Sequence, residues 1–90
     1  MGDALSILTS GQIRAARALL RWTAKELGER SGVSLPTIQR LEAATWSLKA
    51  ELGTIEKLLS AFRNAGIDFP DQYSVSCRRM FEMMASGKEE

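Results

Sequence analysis

The stretch from Thr23 to Glu42 constrains the fold of this 90-residue chain more than any other part of the sequence. Thr23 and Glu26 have the spacing of a capping box, in which each side chain bonds the backbone N–H of the other residue at the start of a helix. Gly32 readily adopts the positive φ with which many helices end, and Ser34 is a good N-cap for a second helix. This order of residues predicts two short helices joined by a tight turn.

The second of these helices is predicted to have a side that faces a core and a side that faces outward. The core side comprises Val33, Ile38 and Leu41. The outward side comprises Leu35, Pro36, Gln39 and Arg40. Pro36 suits the first helical turn, where its missing N–H has no helical partner. Two short helices with this spacing are the layout of a helix-turn-helix, whose second helix enters the major groove of DNA.

Capping and periodicity predict two further helices. Thr9 and Gln12 form another capping box, and apolar residues from Leu52 to Phe62 recur at a helical period. The four predicted helices lie at about residues 10–20, 24–30, 35–43 and 51–65. The predicted fold class is therefore all-α, with four helices followed by a C-terminal extension.

The C-terminal extension leaves two interpretations open. Residues 67–69 form a short extended segment before Pro70, and residues 73–78 alternate as a strand would. The apolar residues of this region also fit one helical face, and the Met- and Phe-rich end favours a final helix at about residues 78–86. We therefore divide the chain into a lead-in at 1–8, a helix-turn-helix domain at 9–69 and an extension at 70–90.

Composition excludes several classes of protein. A content of 44% hydrophobic and 26% charged residues is typical of a globular chain. A single cysteine, Cys77, excludes an intramolecular disulfide, and the absence of histidine removes the usual zinc-binding sets. No apolar run reaches the roughly 18 residues that span a bilayer, and no catalytic motif is present. We therefore expect a cytoplasmic, non-enzymatic protein with no metal and no cofactor.

Charge is unevenly divided along the chain. Residues 9–49 contain seven basic and three acidic residues, whereas residues 50–90 contain five basic and seven acidic residues. The positive excess therefore lies on the segment that contains the predicted helix-turn-helix. Such an excess favours binding to the phosphate backbone of DNA, and a solvated helical surface with chance asymmetry is the alternative interpretation.

The chain resembles the lambda-repressor-like, or XRE, family of bacterial and phage regulators. The resemblance begins in residues 8–22, which are similar to the family's first helix, and continues through residues 23–42. It extends through residues 54–62 and ends in residues 65–69. The resemblance implies a DNA-binding domain whose third helix reads base edges and whose second helix presents its N-terminus to a phosphate.

The resemblance implies two sets of DNA contacts. The residues implied to touch bases are Leu35, Pro36, Gln39 and Arg40. The residues implied to touch phosphates are Arg14, Arg17, Thr23, Ser34, Thr37 and Lys49. Arg40 suits the guanine edge, Gln39 the adenine edge, and Leu35 a thymine methyl group. Ala24 departs from the family, whose members usually have a glutamine at that position.

Residues after 70 carry more apolar side chains than one small core needs, which predicts a homodimer, and closure of a single core is the alternative. The predicted interface residues are Val75, Met80, Phe81 and Met84.

The implied function is a repressor or dual controller of transcription that binds a near-palindromic operator, of the kind found in phages and mobile elements. The alternative is an antiactivator, antirepressor or antitoxin that binds protein. Trp46 fits either function, since it can pack on helix 4, contact DNA or join a protein interface.

Overall fold

The computed structural model describes residues 8–44 and 51–78, and this part of the chain contains four helices and two short strands. The helices are α1 Ser10–Leu20, α2 Ala24–Ser31, α3 Leu35–Glu42 and α4 Leu52–Asn64. The strands are β1 Ile67–Asp68 and β2 Ser76–Cys77. The predicted all-α class is confirmed, and each helix ends within about one residue of its predicted position. In the described ranges, none of the helices has the length and apolar character needed to cross a membrane.

Side-chain caps begin the first three helices, as the sequence predicts. The Thr9 hydroxyl accepts a hydrogen bond from the Gln12 N–H (3.1 Å), and the Gln12 side chain accepts one from the Thr9 N–H (2.9 Å). Thr23 and Glu26 form the same reciprocal pair at the start of α2, at 3.0 and 2.7 Å. Ser34 caps α3. Because these caps satisfy N–H groups that lack a helical partner, they fix where each helix begins.

The helices enclose an apolar core in which Phe62 of α4 contacts two other rings. Phe62 is fully buried, stacks on Trp22 with ring centroids 6.1 Å apart, and meets Phe69 edge-on at 5.7 Å. Other large side chains that are fully buried are Leu8, Ile13, Leu27, Ile38, Leu58 and Ile67. The periodicity of α4 predicts that Leu52 also faces this core. Its side chain is instead 49% exposed, because it lies in the first turn of α4, one turn before the buried Ile55.

Helices α2 and α3 cross closely at Gly28. A Cβ atom at this position would lie 2.9 Å from the carbonyl oxygen of Val33 and 3.5 Å from Cδ1 of Ile38. A carbon atom does not approach a backbone oxygen so closely without a shift of the chain, so glycine permits this crossing. Gly32 ends α2 with a φ of +80°, and its N–H bonds the Gly28 carbonyl oxygen at 2.9 Å. The role predicted for Gly32 is therefore confirmed.

The start of the C-terminal extension folds back as a short antiparallel sheet. In the pairing of β1 with β2, Ile67 lies opposite Cys77 and Asp68 lies opposite Ser76. The extended segment predicted at 67–69 is confirmed at β1, and the strand interpretation of residues 73–78 is confirmed at β2. The helix predicted at about 78–86 lies outside the described residues except for its first position.

The amide of Gln12 ties this extension to α1. Its oxygen caps the Thr9 N–H, while its Nε2 donates to the carbonyl oxygens of Asp71 (2.6 Å) and Ser74 (2.9 Å). Gln12 is buried, and these bonds provide partners for both the oxygen and the nitrogen of its side-chain amide. The sequence predicts the capping role of Gln12, but no local pattern indicates its bonds to residues 59 and 62 positions later.

The Gly28→Ala variant is predicted to have a free energy of unfolding about 1–3 kcal/mol lower than the wild type, because the added methyl group forces α2 and α3 apart. Gly53→Ala in α4 is the matched control, since a Cβ at Gly53 meets no atom within 4 Å. The control is expected to raise the free energy of unfolding by up to about 1 kcal/mol, because alanine has the higher helix propensity. Urea denaturation measures both changes. Equal effects of the two substitutions would contradict the close crossing at Gly28.

Candidate nucleic-acid interface

The outward side of α3 presents the side chains that are predicted to read bases. Pro36, Gln39 and Arg40 are exposed, and Leu35 is half-buried. Because residues four positions apart share a helix face, Leu35 lies beside Gln39 and Pro36 lies beside Arg40. Within residues 8–44 and 51–78, no side chain or backbone group bonds the amide of Gln39 or the guanidinium of Arg40. Among the described residues, nothing therefore occupies the polar groups of this face.

Two hydroxyl groups stand at the first turn of α3, where the resemblance implies phosphate contacts. The Ser34 Oγ accepts a long hydrogen bond from the Thr37 N–H (3.4 Å) and donates to the Thr37 Oγ1 (2.9 Å). One of the two hydroxyl protons is used in the bond between these side chains, and the other remains to be donated to a phosphate oxygen.

The N-terminus of α2 is less favourable to an anion than its sequence suggests. The Thr23 hydroxyl and the Glu26 N–H are bonded to each other, and the Glu26 carboxylate accepts from the Thr23 N–H. This carboxylate therefore lies at the positive end of the helix dipole, where a phosphate would bind. Ala24, which follows the cap, has no side-chain donor. Lys25, the second residue of α2, is exposed and places a positive charge in the same turn.

All three nitrogen atoms of the Arg17 guanidinium donate hydrogen bonds to other residues of the domain. Its Nε and Nη2 donate to the two carboxylate oxygens of Glu42 at 2.7 and 2.9 Å, and its Nη1 donates to the Trp22 carbonyl oxygen at 2.9 Å. The Arg17 and Glu42 side chains are only 23% and 12% exposed. The hydrogen bond to Glu42 and the charge of that carboxylate raise the pKa of Arg17, against the opposing effect of burial. The guanidinium thus joins α1, the turn that follows it and the end of α3.

Arg14 supports the same end of α3. Its Nη1 donates to the backbone carbonyl oxygen of Glu42, the last residue of that helix. Such carbonyl groups lack a helical partner and carry the negative end of the helix dipole, so a guanidinium suits them. Arg14 is nevertheless exposed, and its remaining N–H groups are available to a phosphate.

Comparison with known families bears directly on this arrangement. A helix-turn-helix family model matches residues 13–65, which is more than half of the chain. The chain belongs to this family. The resemblance to lambda-repressor-like, or XRE, helix-turn-helix proteins is thereby confirmed, and the function is of the DNA-binding, transcription-regulating kind. A comparison with curated proteins found no significant match.

Some of the predicted contact residues of this XRE-family chain lie outside the residues that the structure describes. They are Trp46, Lys49, Met80, Phe81 and Met84. Val75, which is also predicted for the dimer interface, is half-buried and packs against the core of its own domain. Across the described ranges, no three His, Cys, Asp or Glu side chains are grouped so that they can hold a metal ion.

The sequence did not identify Glu42 as the residue that binds Arg17 and so helps to position α3. Glu42 lies 25 positions after Arg17, and no capping or periodic pattern connects them. The available signal is weak: Glu42 is an acidic residue at the helix C-terminus, where a negative charge is unfavourable unless a cation neutralises it. That signal indicates a basic neighbour for Glu42 but does not identify which one.

A double-mutant cycle of Arg17→Met and Glu42→Gln is predicted to give a coupling free energy of about 1–3 kcal/mol for unfolding. Asp68 and Arg78 form the matched control pair, with a similar N–O distance of 2.8 Å but side chains 46% and 57% exposed. Because solvent screens an exposed pair, the cycle of Asp68→Asn and Arg78→Met is expected to give less than about 0.5 kcal/mol. Thermal or urea unfolding of the single and double variants measures both couplings. Equal couplings would show that burial does not strengthen the Arg17–Glu42 pair.

Proposed function

We propose that this chain is a cytoplasmic regulator of transcription, a repressor or dual controller, that binds a near-palindromic DNA operator as a homodimer. Helix α3 of each copy enters the major groove. The observation that carries the proposal is the outward side of α3, where Gln39 and Arg40 are exposed and have no partner among the described residues. Membership of the helix-turn-helix family supports the same function.

The proposed base contacts follow from the chemistry of the outward side of α3. Arg40 donates two hydrogen bonds to the O6 and N7 of a guanine, and Gln39 pairs with the N6 and N7 of an adenine. Leu35 and Pro36 form the apolar start of the helix, since Pro36 has no backbone N–H and neither side chain has a polar atom. The apolar feature of the major groove is the thymine methyl group, which we place against this pair.

The proposed phosphate contacts lie around this helix. They are Arg14, Thr23, Ser34, Thr37 and Lys49. Arg14 is the best supported of these, because its guanidinium has N–H donors that the fold leaves unused. Arg17 has a positioning role in this proposal, because its three hydrogen bonds hold the end of α3 and leave little of its charge for DNA.

The proposed dimer rests on the apolar residues after position 70, namely Val75, Met80, Phe81 and Met84. Two copies related by a two-fold axis present two α3 helices to successive major grooves, which explains an operator with two-fold symmetry. A dimer bound over a promoter excludes polymerase and represses, whereas a dimer bound beside it activates by contact. From its family, we propose that the regulator is encoded by a phage or a mobile element, or is a controller protein.

Selection from a random pool of DNA duplexes is predicted to enrich a site with two half-sites about 10–10.5 base pairs apart, or a multiple of this spacing. Affinity for that site, measured by fluorescence anisotropy, is expected to fall about a thousandfold between 50 and 200 mM salt, as roughly six phosphate contacts require. A chain that instead binds a partner protein through apolar residues would respond weakly to salt. Failure to bind any duplex at 50 mM salt, together with stoichiometric capture of a protein from cell extract, would contradict the DNA-binding function. That result would favour an antirepressor or antitoxin that binds protein.

Arg40→Ala is predicted to weaken binding to the selected site by about 1–3 kcal/mol and to relax the preference at one base pair, since a bidentate contact to guanine is lost. Arg63→Ala is the control, because Arg63 is an exposed arginine in the last turn of α4. The control should change neither affinity nor preference appreciably. Competition with duplexes altered at each position measures both quantities. An equal loss on every sequence would make Arg40 a phosphate contact.

A further inference from the structure

The two capping boxes of this chain differ in the residue at the third helical position. In α2 this residue is Glu26, whose carboxylate accepts a hydrogen bond from the Thr23 N–H at 2.7 Å. In α1 it is Gln12, whose amide oxygen accepts the equivalent bond from the Thr9 N–H at 2.9 Å. Either side chain serves as the acceptor of a capping box, but only glutamine also carries an NH2 group that donates.

The NH2 group of Gln12 is the part of this side chain that capping does not require. It is buried with the rest of the residue and donates to the carbonyl oxygens of Asp71 and Ser74. A glutamate at this position would cap α1 equally well, but it would place a carboxylate oxygen against two carbonyl oxygens. The bonds to the C-terminal extension, rather than the cap, therefore explain why this residue is a glutamine.

The segment that Gln12 holds is an ordered turn just before β2. The Asp71 carboxylate accepts a hydrogen bond from the Tyr73 N–H at 2.7 Å, and the Asp71 carbonyl oxygen accepts one from the Ser74 N–H at 3.4 Å. The extension is thus attached at two points, to β1 by two residue pairs of a sheet and to α1 by Gln12. Because a two-stranded sheet of this length is weak by itself, the second attachment determines how the extension is oriented.

Helix α1 also carries the contacts that hold the end of α3. Arg14 donates to the carbonyl oxygen of Glu42, and Arg17 bonds the Glu42 carboxylate. With a rise of about 1.5 Å per residue, Gln12 and Arg17 lie only about 7.5 Å apart along the helix axis. Fewer than two turns of α1 therefore connect the end of α3 to the extension.

We propose that Gln12 is a positioning residue that sets the orientation of the C-terminal extension relative to α3, and thereby the half-site spacing that the dimer accepts. The inference rests on the proposed function, since it takes the extension to join two copies on one operator. In a two-fold dimer, the distance and angle between the two α3 helices depend on how each domain is joined to the interface. A rigid connection accepts one spacing, whereas a loose connection accepts several.

The test replaces Gln12 by glutamate, which keeps the capping acceptor of α1 and removes both donors to the extension. Gln12→Met is used beside it, because it removes the same donors without burying a charge. Glu26→Gln is the matched control, since it makes the reverse exchange at the same position of the second capping box, where the described bonds of Glu26 go to Thr23 alone. Circular dichroism should show unchanged helical content in all three variants, and sedimentation should show that each remains a dimer.

Fluorescence anisotropy then measures binding to the selected operator, to operators whose spacing is changed by two base pairs, and to a single half-site. Such a change rotates one half-site by about 70° relative to the other. The wild type is therefore expected to bind the altered operators at least about tenfold more weakly than the selected one. For Gln12→Glu and Gln12→Met this ratio should fall to about threefold or less, while affinity for the single half-site stays within about twofold of the wild type. Glu26→Gln should keep the wild-type ratio.

The outcomes distinguish this inference from the function on which it rests. A wild-type chain that binds no duplex at 50 mM salt, or that binds every spacing equally, overturns the proposed dimer on a two-fold operator. A wild-type chain that discriminates between spacings, with both Gln12 variants of unchanged ratio, overturns the role of Gln12 alone. Conversion of these variants to monomers also overturns it, since Gln12 would then determine assembly rather than orientation.

Discussion

The position of α3 depends on the hydrogen-bonded ion pair between Arg17 and Glu42. The pair joins α1 to the end of α3, and Arg17 also holds the carbonyl oxygen of Trp22 in the turn before α2. Because the desolvation of two charges offsets much of their attraction, such a pair contributes more to geometry than to stability. At the other end of α3, the close crossing at Gly28 fixes the distance to α2. These contacts join α3 to α1 and α2, whereas Pro36, Gln39 and Arg40 remain exposed.

Much of this fold could be predicted from the sequence, because the signals that set its helices are local. The capping boxes of Thr9 and Thr23 act over three residues, and the positive φ of Gly32 depends on that residue alone. The outward side of α3 follows in the same way from helical periodicity. Leu52 shows where this reasoning ends, since periodicity gives the side of a helix but not how far the core extends along it.

The contacts that position the interface could not be predicted, because they join residues far apart in the chain. Arg17 has the same sequence signature as a solvated basic residue, and only the packing of α1 against α3 brings it to Glu42. Gln12 is a second example: its capping oxygen follows from the sequence, but its bonds to the turn at Asp71 and Ser74 require the folded chain. The open choice between strand and helix at residues 73–78 has the same cause. Pairing with β1 is a tertiary interaction, and local alternation does not establish it.

Counting basic residues therefore overstates the charge that a domain of this kind offers to DNA. Residues 9–49 carry a clear positive excess, yet the charge of Arg17 is matched by Glu42 and the guanidinium of Arg30 lies on the ring of Trp22. Arg21 and Arg40 differ, because no described residue bonds their side chains. The salt-dependent attraction to DNA comes from cations that neutralise phosphates, and a cation whose charge is matched by a carboxylate contributes little to it. Of the arginines whose guanidinium no described residue bonds, Arg21 and Arg40 lie in the turn before α2 and on α3, whereas Arg63 lies in the last turn of α4. Folding therefore decides which cations of the sequence remain unpaired, and this set is not confined to the helix-turn-helix.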